Sequence, residues 1–214
     1  MWLVFRISSD DARSAYGFSR SPIELQMGGL VLGERVRPII YDREYLVRGL
    51  AEVERVAGVR AGAPFFEGLL AEGSYVSDSE PPCRAVVVMQ ELAPERAFAF
   101  AHALPAAYYE EGRPLDDPAL IGEIAATHGV DAERFVAHWQ SDEARAATQR
   151  AFMAARAAGI VSYPTLRYRR AERTITLVKG FMAPEEAVQV VRGLRANGRL
   201  CRQAFKKAVA AGQW

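Results

Sequence analysis

Cysteine is nearly absent from this sequence: Cys83 and Cys201 are the only two among 214 residues. They lie far apart in the chain, so no Cys-x-x-Cys, zinc-spaced quartet or disulfide ladder can be built from them. Histidine is scarce as well. His102, His128 and His138 fall on different predicted helices with no i, i+4 pair, so no two imidazoles share a helix face, and each reads as solvated or satisfied in the core. An excess of one sign of charge is also missing. Lys and Arg number 27 against 26 Asp and Glu, a formal charge of +1, which argues against an overall basic field for nucleic acid or an anionic membrane. There is no apolar run of about 20 residues. Met1 to Ile7 is apolar but carries Arg6 and soon meets Asp10 and Asp11, unlike a leader peptide. Gly28-Gly29 lacks the GxGxxG or GK[ST] surroundings of a phosphate loop. The expectation is a soluble, cytoplasmic protein with neither nucleic acid nor membrane as partner.

What is present is ordinary globular composition, half hydrophobic and a quarter charged, ample for a substantial core. Trp2-Leu3-Val4-Phe5 reads as a buried strand, and Ser8-Ser9-Asp10-Asp11 as a helix start. A second strand is predicted over Ile23 to Leu32. From Asp42 to Arg156 the period is that of helices. Leu46, Leu50, Val53 and Ala57 make one apolar face, and Ser77-Asp78-Ser79-Glu80 has the pattern of a capping box. Ala97 to Leu104, apolar nearly all round, belongs at the centre of the cluster. Leu120, Ile121, Ile124, Ala125 and His128 form another stripe, stopped by Gly129, and Asp131 and Ser141 look like caps. After Gly159 the period falls to two. Strands Ile160 to Tyr168 and Thr174 to Val178 are predicted as a hairpin with loop Arg169 to Arg173. Ala183-Pro184-Glu185-Glu186 then opens a helix, and Leu200 to Ala210 is one more. This order predicts an α/β protein whose mixed sheet is interrupted by a large all-helical subdomain: residues 1–41, an insertion at 42–158, and 159–214.

Few residues here carry obvious chemistry. Cys83, entering an apolar helix, reads as a small buried side chain. Glu110-Glu111 and Asp116-Asp117 read as solvated helix ends. Arg192, Arg195, Arg199, Arg202 and Lys206 would form a basic stripe, broken at Asn197-Gly198, and Arg167, Arg169, Arg170 and Arg173 a basic hairpin. Both are read as solvated faces.

A set of short words in fixed order adds more. Tyr16-Gly17-Phe18, Gly28-Gly29-Leu30, Asp78-Ser79-Glu80 with Arg84-Ala85, Gly112-Arg113, Ala154-Ala155-Arg156 and Gly159-Ile160-Val161-Ser162-Tyr163-Pro164-Thr165-Leu166 follow one another along most of the chain. The set resembles the DsbA family of thioredoxin-fold proteins, in its FrnE-like branch of predicted thiol-disulfide oxidoreductases and isomerases. The resemblance implies a thioredoxin-like sheet and a Cys-x-x-Cys just before Tyr16, where helix amides would stabilise a thiolate. Here those positions are Ala12-Arg13-Ser14-Ala15. With Ala12 and Ala15 in place of the sulfurs, dithiol exchange at this point is chemically excluded. The resemblance also implies a cis proline at Tyr163-Pro164, with Ser162, Tyr163 and Pro164 gripping an extended peptide or a thiol-containing small molecule by its backbone. From the residues alone, a trans proline entering a strand is the expected form, and it is the resemblance that reverses this.

A related branch, the glutathione-dependent chromene-carboxylate isomerases, has serine in place of the leading cysteine. Phe5-Arg6-Ile7-Ser8-Ser9 is faintly similar to its start. That likeness would make Ser9, with Ser14 as second candidate, the group orienting a glutathione thiol. A helix N-cap at Ser8, Ser9 or Asp10 explains the same residues without catalysis. A non-catalytic peptide-binding module is the third reading.

Overall fold

The computed structural model describes residues 25–170 and 173–183, with the single positions 186 and 189. These fall in two units, one holding residues 25–161 and the other starting at Ser162. The predicted strand at Trp2 to Phe5, the helix start at Ser8 to Asp11 and positions Ser9, Ala12, Ser14 and Ala15 lie outside the described residues. So do most of the helix predicted after Ala183, the helix from Leu200 and the basic stripe.

The first unit is helical. A two-residue strand β1 (Arg37–Pro38) leads through a 3-10 turn, Ile39–Asp42, into helix α1 (Arg43–Ala57). A π turn over Pro64–Leu69 runs on into the short α2 (Leu70–Glu72), and strand β2 (Val76–Ser77) pairs antiparallel with β1. Then come α3 (Glu80–Leu92), α4 (Ala97–Tyr109), α5 (Pro118–Thr127), α6 (Ala132–Trp139) and α7 (Asp142–Ala157). Helix α3 packs against α4, α6 and α7. All its residues from Pro82 to Met89 are buried, as befits a segment apolar on every face. The predicted caps form: the Asp131 side chain accepts the Arg134 amide and that of Ser141 the Ala144 amide. The stretch predicted at the centre is central, with Ala97, Phe100, Ala101 and Leu104 buried.

Two predicted features are corrected. Residues 25–32 form no regular strand. Gly29 sits at φ +59, outside the strand region, and the amides of Leu30 and Val31 donate to Ser79 Oγ, at 3.2 and 2.9 Å. The capping box at Ser77 to Glu80 does not form either. Ser77 is paired in β2, Ser79 takes a helical φ/ψ that turns its hydroxyl from its own helix, and Asp78 Oδ1 accepts the Glu80 amide instead.

An aromatic cluster ties the π turn to the end of α4. The Phe65 ring lies 5.3 Å from Tyr108 and 5.3 Å from Tyr109, centroid to centroid, in tilted or edge-on geometry. Gly112 makes the approach possible. It sits at φ +67, and a Cβ there would strike the Pro64 carbonyl.

The second unit, as described, is a hairpin. Strand β3 (Thr165–Arg170) pairs antiparallel with β4 (Arg173–Lys179), Thr165 opposite Lys179 and Arg170 opposite Arg173, with an irregularity between Leu166 and Arg167. It starts later than predicted because Pro164 has no amide for the ladder. The Pro164 carbonyl does join in, accepting from the Gly180 amide at 2.8 Å.

Gly112→Ala combines a left-handed backbone with a clash against main chain. A loss of about 2–4 kcal/mol in urea unfolding is expected. Gly58→Ala, at φ +66 but facing open space, should lose only about 1 kcal/mol.

Candidate functional site

The sequence directs attention first to Ser162, Tyr163 and Pro164. The structure places them at the entry to β3, each half-buried. The Tyr163–Pro164 peptide is cis. Thr165 Oγ1 donates to the Ser162 carbonyl at 2.6 Å, which closes a tight turn before the strand and fixes the direction in which the ladder starts.

Sulfur chemistry finds no support at Cys83. The side chain is 1 % exposed, in the first turns of α3. Burial pushes the thiol well above its ordinary range. The hydrogen bond to the Gly29 backbone works against this shift, and the nearby Glu80 and Asp78 carboxylates add to it. Such a thiol is neither nucleophile nor leaving group at neutral pH.

Beside it lies an ion pair with little access to water. Arg84 is 4 % exposed and its Nε stands 3.2 Å from Glu80 Oε1, yet neither atom makes a hydrogen bond. The guanidinium lies over the Trp139 ring, 4.6 Å from its centroid. Desolvation lowers the Arg84 pKa and raises that of Glu80, each opposed by the charge of the other.

The remaining polar candidates are built into helix ends and surfaces. His138 Nε2 is 2.7 Å from Glu91 Oε2, and His128 Nδ1 is 2.8 Å from the Ile124 carbonyl. Glu110 follows the end of α4, Asp117 caps α5 through the Ala119 amide, and Arg113 bridges to Glu123. No trio of His, Cys, Asp or Glu gathers as a metal site among the described residues. No described helix is long and apolar enough to cross a membrane.

Sequence reasoning did not single out a cavity of about 310 Å³ inside the first unit. It is framed by β1, β2, α1 and α4, and its wall carries Arg35, Arg37, Tyr45, Tyr75, Tyr108 and Tyr109. Tyrosines 108 and 109, adjacent at the end of an Ala-rich helix, are the signal in the sequence that could have pointed there.

With this geometry in hand, comparison with solved structures is informative. The chain is similar to a "putative protein disulfide isomerase" from Nitrosomonas europaea, with 25% identity over 80% of this chain and 79% of that one, TM-score 0.66. It is also similar to the cytosolic disulfide reductase DsbM from Pseudomonas aeruginosa, with 22% identity over 86% and 89% and TM-score 0.71. The same reductase with GSH aligns at 21% identity over 86% and 90%, TM-score 0.69. The fold is DsbA-like. It is a thioredoxin-type α/β architecture with a helical insertion, the framework of disulfide oxidoreductases. No family model matches the chain, and no curated protein does.

Burial of Cys83 gives a direct expectation. In a Cys201→Ser variant, Cys83 should resist iodoacetamide in native buffer and react fully in denaturant, as mass spectrometry would show. Rapid native labelling would contradict the placement.

Proposed function

We propose that this chain is a cytoplasmic member of the thiol-disulfide oxidoreductase class, of the FrnE-like branch, that binds an extended peptide or a thiol-containing small molecule without dithiol exchange of its own. Ser162, Tyr163 and Pro164 hold the ligand's backbone in this reading, and residues 42–158 form the insertion that accompanies the binding domain. One observation carries it: a chain with the DsbA-like fold has only Cys83 and Cys201 to offer, and Cys83 is sealed in the core. Exchange needs an accessible thiolate to attack and a second sulfur to resolve the mixed disulfide. Ala12 and Ala15, at the positions where the resemblance expects those sulfurs, carry methyl groups.

Glutathione is the small molecule that the comparison favours, because one of the similar structures, the reductase DsbM, is of a complex with GSH. Ser9 and Ser14 are then the candidates to accept or donate a hydrogen bond at the ligand's sulfur. This second reading makes the chain a glutathione-using isomerase or transferase.

Three measurements test these readings. Insulin reduction driven by dithiothreitol should stay at background for the unmodified chain and be unchanged in Cys83→Ala/Cys201→Ala; turnover well above background would overturn the loss of exchange. Calorimetric titration with glutathione should give saturable heat in the millimolar range. Absence of heat removes the glutathione reading. If Ser9 orients the thiol, Ser9→Ala should weaken binding of glutathione severalfold more than that of its S-methyl derivative.

A further inference from the structure

The cavity in the helical unit draws an aromatic wall from separate elements. Tyr45 comes from α1, Tyr75 from the segment before β2, and Tyr108 and Tyr109 from the end of α4, with Leu46 and Leu104 among the aliphatic side chains beside them. The Tyr75 and Tyr108 rings stand 5.8 Å apart and those of Tyr108 and Tyr109 4.8 Å, centroid to centroid, so three of the four tyrosines form one continuous aromatic surface. A volume of about 310 Å³ is at the small end of ligand sites.

The charge around this wall is weighted toward the negative. Arg37 is matched by Asp42, its Nε 3.2 Å from Oδ2, and Arg35 stands at the exposed rim, where solvent and salt screen it. Asp78, on the wall, accepts the Glu80 amide at 2.8 Å but forms no ion pair with a described residue. Asp116 directly follows the wall residue Leu115 and likewise has no such pair. Both carboxylates reach the tyrosines. Burial pushes the Tyr75 phenol up first, and the charges of Asp116 and Asp78 add to this; Asp116 also acts on the buried Tyr108. Partial burial raises the Asp116 pKa as well, with Asp117 and Asp78 adding to it, as expected of a carboxylate with like charges nearby. A cavity in such a field disfavours an anion and attracts a cation. Tyrosine suits the same ligand, because its ring face carries the negative side of the quadrupole and its phenol oxygen accepts from an ammonium N–H.

We propose that this cavity binds a small alkylammonium ion, held by the tyrosine wall and by the charges of Asp78 and Asp116. The site lies within the helical unit, needs no sulfur and is independent of the thiol-peptide reading.

Choline, its carbon isostere neohexyl alcohol and the tert-butylacetate anion share a compact trimethyl head and differ in charge, so calorimetric titration of the full chain with each tests the chemistry. Choline should bind about tenfold tighter than the alcohol, and the anion weakest of the three. Asp116→Asn and Asp78→Asn should each weaken choline about threefold, as expected for a charge pair near solvent, and leave the alcohol unchanged. Tyr45→Leu should weaken choline by about the same factor. Asp116 and Tyr45 are exposed, so their variants should keep the melting temperature of the unmodified chain and remain decisive if Asp78→Asn disturbs the start of α3. Equal affinity for choline and the alcohol, no heat from choline at millimolar concentration, or undiminished choline binding in Asp116→Asn would overturn the proposal.

Discussion

Helix α3 is buried from Pro82 to Met89, so polar groups along and beside that stretch must find partners within the protein, and this constraint organises the unit around it. Its first amides are met locally, Glu80 by Asp78 Oδ1 and Cys83 by the Ser79 carbonyl, and the other polar groups of this turn bond to segments remote in sequence. The Pro81 carbonyl accepts from Trp139 Nε1 at 2.9 Å, while Ser79, at the cap position, turns its hydroxyl outward to hold the amides of Leu30 and Val31. Pro81 and Pro82 lack amides that would otherwise need acceptors in the first turn. Gln90, two turns on, donates to the Leu25 carbonyl at 2.9 Å. The irregular segment from Leu25 to Leu32 is thus fixed by polar bonds to α3 at both ends.

The same burial determines the chemistry available around α3. An exposed thiol near a helix N-terminus would be acidified by the amide dipoles. Cys83 is three residues into the helix but faces the core, where desolvation outweighs that dipole. Arg84 shows the opposite compromise. Its charge is kept by a carboxylate one turn back and by the face of Trp139. Such a pair adds little net stability over apolar side chains of equal volume, but removing one partner leaves a buried charge. Both residues are better understood as consequences of packing than as parts of a reaction, so the chemistry of this DsbA-like chain has to be sought elsewhere.

How much could be read from the sequence depended on the range of the interaction. Caps at Asp131 and Ser141 are local: a side-chain oxygen reaches an amide three residues on, and the pattern suffices. The hairpin after Pro164 was legible for the same reason, through its period of two. The capping box at Ser77 to Glu80 fails because Ser77 is drawn into the β1–β2 ladder, and the pattern reveals neither that pairing nor the demand on Ser79 from loop amides 48 and 49 residues away. The β1–β2 ladder, two residues long, gives no periodicity at all. The cavity is a still less local object, assembled from segments that share no motif.

The tyrosines at that cavity argue that its polarity is not incidental to packing. Tyr75, Tyr108 and Tyr109 contribute the same ring area that phenylalanine would, as Phe65 and Phe66 do in the same cluster. Each phenol adds a hydroxyl that must be desolvated, and all three are held in the protonated form by burial. Tyr75 offsets that desolvation through the Leu115 backbone. Tyr108, whose ring position is fixed between Phe65 and Tyr109 by the turn at Gly112, has no such bond within the described residues. The turn at Gly112 thus sets both the packing of the aromatic cluster and the place of the tyrosines it brings to the cavity.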